Sequence, residues 1–99
     1  MAVPKYNWEN TACCETSKVS GDTAIKSAPG VVFWISVSDT ADLEVELNDS
    51  TNNSGTDKWG IKFNGDSIAH FVFDPPIYFG TGIYLDVSTT SCVVTVGYV

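Results

Sequence analysis

The chain is 99 residues long, 43% hydrophobic and 12% aromatic, with a formal net charge of −7 from 12 acids against 5 lysines and no arginine. That length holds one domain with one core, and the apolar share excludes a chain disordered throughout. Nucleic acid needs cations on its phosphates and arginine at its guanines, and an anionic membrane surface would repel this chain, so neither is expected as a partner.

Met1 to Asn10 read as an extended N-terminal arm, in which Tyr6 and Trp8 stand among Pro4, Asn7, Glu9 and Asn10. It lacks the apolar stretch of a signal peptide, so synthesis in the cytoplasm is expected. Residues 11–99 read as one domain of short strands. Val, Ile, Thr and aromatic residues alternate with turn clusters, and no apolar period of 3.6 marks a helix.

Strand signals run over Thr11 to Val19 and Asp22 to Ala28, separated by Ser20-Gly21-Asp22. Val31 to Ser38 follows the Pro29-Gly30 turn. Its alternation puts Val31, Phe33, Ile35 and Val37 on the core face, with Val32, Trp34, Ser36 and Ser38 opposite. Leu43, Val45 and Leu47 alternate with Glu44 and Glu46, as a half-buried antiparallel strand does. Trp59, Ile61 and Phe63 alternate with Lys58, Gly60 and Lys62. The two runs suit a neighbouring pair in which glutamates meet lysines.

Asn64-Gly65-Asp66 is a turn. Ser67 to Phe73 is a strand, and Asp74-Pro75-Pro76 must be a corner or an edge, because proline has no N–H for a central ladder. Short runs at Ile77 to Phe79, Ile83 to Val87 and Cys92 to Val99 complete the chain. About eight short strands predict an all-β fold: a single antiparallel β-sandwich, with the jelly roll one form of it and a closed barrel the alternative.

Catalysis finds little support. His70 is the sole histidine and lies mid-strand between Ala69 and Phe71. A nucleophile needs a histidine in hydrogen-bond reach and a third group to orient it, and nothing in the spacing brings Cys92 to His70. The aspartates fall mostly in turns, where the side chain satisfies local backbone. Cys13, Cys14 and Cys92 show no metal-ligand spacing and read as reduced thiols, a bridge from Cys92 to one of the pair being the alternative. The loop Asp49 to Asp57 offers oxygens at Asp49, Thr51, Asn53 and Asp57. It lacks the glycine position and closing glutamate of an EF-hand, and a flexible hairpin tip explains it as well. No enzyme activity and no cofactor are expected. Tyr6, Trp8 and Trp34 are the candidate interface residues, as aromatics placed outside the core.

Two stretches carry a resemblance. Ile25-Lys26-Ser27-Ala28-Pro29-Gly30-Val31-Val32 opens one. Pro76-Ile77-Tyr78-Phe79-Gly80-Thr81-Gly82-Ile83-Tyr84-Leu85-Asp86-Val87-Ser88 with Val94-Thr95-Val96-Gly97-Tyr98-Val99 closes the other. Together they resemble small β-sandwich virion proteins of tailed bacteriophages, over about residues 25–99 and leaving the arm uncovered. The resemblance implies a structural component of a virion: a capsid decoration (cement) protein docked on the major capsid protein, or a head or tail fibre piece. A homo-oligomer, a trimer first, is expected. A carbohydrate- or receptor-binding fibre module is the alternative reading.

Overall fold

The computed structural model describes residues 14–99; the expected arm, with Tyr6, Trp8 and Cys13, lies outside the described residues. Eight strands run β1 (Glu15–Val19), β2 (Thr23–Lys26), β3 (Gly30–Asp39), β4 (Leu43–Asp49), β5 (Thr56–Phe63), β6 (Ser67–Phe79), β7 (Ile83–Val87) and β8 (Val93–Tyr98). They form two four-stranded antiparallel sheets. Sheet I has the order β1-β8-β3-β6 and sheet II the order β2-β7-β4-β5. The pairs β4–β5, β3–β6, β2–β7 and β1–β8 are all hydrogen-bonded. A long four-pair hairpin has rolled up so that its strands alternate between the sheets, which is the jelly-roll arrangement.

The inner faces supply the core. Val32, Ile35, Leu43, Val45, Leu47, Phe79, Ile83, Leu85, Val94 and Val96 are at most 1% exposed. The alternation of Leu43, Val45 and Leu47 with Glu44 and Glu46 places them as read, and Glu44 lies directly opposite Lys62. β8, the apolar C-terminal strand, sits between β1 and β3 inside sheet I.

The expected core face of β3 is half corrected. Ile35 and Val37 are buried, but Val32, not Val31, is buried beside them, and Phe33 is only partly covered. Val32 pairs with Tyr98 and Trp34 with the next residue, Gly97. Phe33 is therefore an extra residue, a β-bulge, and an inserted residue reverses the inside–outside phase on one side of it. On the other flank Val32 pairs with Ile77 and Trp34 with Val72, so β6 carries its own unmatched residues at Phe73, Asp74, Pro75 and Pro76. The Asp74–Pro75 bond is cis. The two runs expected at Ser67 to Phe73 and Ile77 to Phe79 are thus one edge strand.

The turn at Gly65 has φ +80°, a conformation glycine adopts without a Cβ clash. It carries the chain from β5 in sheet II to β6 in sheet I, and its N–H donates to the Asp42 carboxylate at 2.6 Å.

Candidate functional site

The turn aspartates act as staples between loops more than as caps of their own turns. The Asp49 carboxylate accepts N–H bonds from Gly80, Thr81 and Gly82 at 3.1, 2.7 and 3.4 Å. Those donors, Thr81 foremost, hold its pKa below 3.8 against the opposing effect of burial. Asp39 accepts from the Thr89 and Ser91 hydroxyls, each at 2.7 Å, and from the Thr40 and Ala41 N–H groups. The hydroxyls lower its pKa most. Asp22 accepts from Val87 N–H at 2.8 Å. In the loop tested for calcium, Asp49 is committed to the 80–82 turn, and the Asn52 side-chain oxygen accepts from Ser50 Oγ and Ser54 N–H. Those oxygens close turns, and no group of three or more His, Cys, Asp or Glu among the described residues is placed to hold a metal ion.

Cys14 and Cys92 carry free thiols. Cys92 is fully buried in the core, and burial pushes its pKa above 9.0. His70 projects from the opposite, outward face of sheet I, so the two are not brought together. The structure instead sets the Ser36 hydroxyl against His70 Nδ1 at 2.5 Å, because Ser36 and His70 are directly opposed across β3 and β6. Trp34 packs beside the imidazole, ring centroids 5.5 Å apart. No carboxylate among the described residues hydrogen-bonds that ring, so the pair lacks the orienting member of a triad. Residue spacing could not show this contact, since it depends on strand register.

The outward face of sheet I is the distinctive surface. Register places Val93, Thr95 and Gly97 of β8, Val31, Trp34, Ser36 and Ser38 of β3, and Ile68, His70, Val72 and Tyr78 of β6 on it. Ile68 is 92% exposed, Val72 68%, Tyr78 60% and Val93 39%. These are the exposed large hydrophobic residues of the described chain, and all share this one face. None of the named positions is acidic. Trp34 lies here as read, its indole over Gly97 directly across the ladder.

Sheet II turns the acids outward. Glu46 stands opposite Asp86 across β4 and β7, with Glu44 two residues along the same strand. Burial, then the neighbouring Asp57, Glu44 and Asp86, pushes Glu46 above its ordinary 4.5. Burial, then Asp22, does the same to Asp86 above 3.8. The molecule is two-sided: one broad face is partly apolar, with Lys18 of β1 opposite Thr95 as a charge at its border, and the other is acidic.

Sequence reasoning missed Ile68 and Val72. The signal was present: Ser67 to Phe73 is apolar at both alternating sets, which suits a strand covered on both faces, yet the prolines after it mark an edge. Scans against family models, curated proteins and solved structures find no match to this chain.

Proposed function

We propose that this chain is a non-enzymatic structural subunit that works by surface burial, and that it is a virion protein, foremost a capsid decoration protein docked on the head lattice. The observation that supports this most is the segregation of its surface. Exposed Ile68, Val72, Tyr78 and Val93 gather on one face, whose β3 and β8 positions carry no charge, in a chain with a large acid excess. Interface centres are depleted of charge and more apolar than the rest of the surface, and monomers seldom gather such residues without a partner. The acidic face of sheet II would then stay in solvent and keep a high-copy protein soluble. The resemblance over residues 25–99 supplies the virion.

A second reading, a carbohydrate- or receptor-binding fibre module, draws on Trp34, which packs beside His70, and on an open groove of about 370 Å³ on the same face that Ser36, His70 and Thr95 help to line. Immunogold labelling of virions grown from the genome that encodes this chain separates them. Regular label over the head, thinned by Tyr78→Lys or Val93→Lys, is the expected result. Label confined to fibres, with glycan binding lost on Trp34→Ala, would favour the second reading, and unlabelled particles would refute both.

A further inference from the structure

Four strands end the two sheets, and they are not equally protected. An open edge presents unpaired N–H and C=O groups, and natural sheets guard them with short strands, lysines, prolines or bulges. β1 has five residues and carries Glu15 and Lys18. β2 has four, with a register break between Ala24 and Lys26. β5 carries Lys58 and Lys62 and is interrupted opposite Leu47 and Asn48. β6 differs. Its first part, Ser67-Ile68-Ala69-His70-Phe71-Val72-Phe73, holds no acid, no lysine and no proline, and β3 is its sole strand partner among the described residues.

That stretch is also self-complementary. Ile68 and Val72 lie symmetrically about His70, and both point outward, 92% and 68% exposed. Ala69 and Phe71 are symmetric about the same residue on the inner face. There Phe71 and Phe73 pack edge-on against Trp59 of β5, centroids 5.3 and 5.5 Å apart, all three only partly buried.

We propose that two copies of this chain join edge to edge through β6, antiparallel about a two-fold axis at His70. Ile68 of each copy then meets Val72 of the other on the outward face, and Ala69 meets Phe71 on the inner one. Direct cross-strand apolar pairs of this kind are the unit of sheet stabilisation. The contact ends at Asp74-Pro75-Pro76, where the ladder of β6 breaks.

The size suits a reversible dimer. Seven residues extend about 24 Å, and the slab is 20 Å in its thinnest direction. One copy contributes roughly 500 Å² and the pair about 1,000 Å², at the lower bound of specific interfaces. The joined sheets I form one eight-stranded face with Lys18 of each copy at its two outer borders, and both acidic faces lie on the other side. A two-fold pair replaces the trimer that the resemblance implies. The inference rests on the assembly reading and specifies its contact.

The full chain in light scattering over a wide concentration range gives the test. The mass is expected to rise from 10.7 kDa to twice that value, with amide exchange at Ser67 to Phe73 slowing in step. Ile68→Lys, at a site with almost no packing to lose, abolishes the doubling without changing the fold by circular dichroism. Adding Val72→Glu to it restores the doubling, because the proposed register sets the introduced lysine of each copy against the introduced glutamate of the other. Within one chain those positions are about 14 Å apart and do not pair.

A monomer at every concentration, a threefold mass, or equal loss in the single and double variants would overturn the dimer. So would exchange protection of β6 independent of concentration, the mark of residues 1–13 occupying the edge of their own chain. A dimer that labels no virion refutes the virion reading alone, and a monomer that labels virions refutes the dimer alone.

Discussion

Gly97 of β8 faces Trp34 of β3 directly across the ladder, and the indole occupies the space that a side chain at 97 would need. A Cβ built there comes within 2.8 Å of Trp34 Cδ2 and closer still to Cε2 and Nε1. Gly97→Ala therefore forces the indole to leave its site or the two strands to part. Overpacking of this kind costs about 1–3 kcal/mol. In a domain of this size each kcal/mol lowers Tm by roughly 4–8 °C, so a fall of about 5–20 °C is expected in calorimetry, with a red-shifted tryptophan emission. The cause is separable by a double-mutant cycle. In a Trp34→Ala background the obstacle is gone, and Gly97→Ala should cost nothing or stabilise, since alanine is the better strand residue by roughly 0.5–1 kcal/mol. A Gly97→Ala cost that is the same in both backgrounds would refute the claim that the indole sets the need for glycine.

The acids supply two further predictions. Glu46 sits opposite Asp86, and like charges directly across a ladder destabilise it. Glu46→Gln is expected to stabilise the fold by about 0.2–1 kcal/mol, towards the low end because solvent screens the pair; added salt should raise the Tm of the parent more than that of the variant. Raised pKa values at Glu46 and Asp86 mean that their cost is present at neutral pH and relieved as pH falls through them. Lowered values at Asp39 and Asp49 mean that their contribution is present above 3.8 and lost as pH falls through the folded values. Tm should therefore climb from neutral to mildly acidic pH and drop in stronger acid. Asp49→Ala should cost about 1 kcal/mol at neutral pH after screening is allowed for, and progressively less below pH 3.8. A gap that stays constant with pH would show that the N–H bonds from residues 80–82 do not depend on the ionised carboxylate.

What was legible in the sequence follows from where alternation is clean. Leu43 to Leu47 and Trp59 to Phe63 interleave apolar with charged or small residues, so their faces and their pairing could be read directly. Val31 to Trp34 is apolar at every position, and an inserted residue there leaves no mark in the pattern, so the bulge at Phe33 and the buried Val32 escaped. The prolines at 75 and 76 marked an edge correctly, yet hid that one strand continues through them. Trp34 stood out as an aromatic off the core side. Its neighbours His70 and Val72 come from register between strands more than thirty residues apart, which no local spacing encodes. The partners of Asp22, Asp42 and Asp49 are hidden for the same reason, since each staples a distant loop.

The distribution of charge and the distribution of edge protection point to the same corner of the sandwich. A chain with net charge −7 repels itself on compaction, and crowding acids onto sheet II adds to that cost: burial first, and then neighbouring acids, raise the pKa values of Glu46 and Asp86. Spreading them over both faces would be cheaper for an isolated monomer. The outward positions of β3, β8 and the Ser67 to Phe73 part of β6 nevertheless carry no acid, and that part of β6 is the edge without charge or proline. Stability of the single chain explains neither feature. The proposed burial of that face and that edge against other protein surfaces would explain both, because an unpaired carboxylate there would be desolvated at a cost of several kcal/mol.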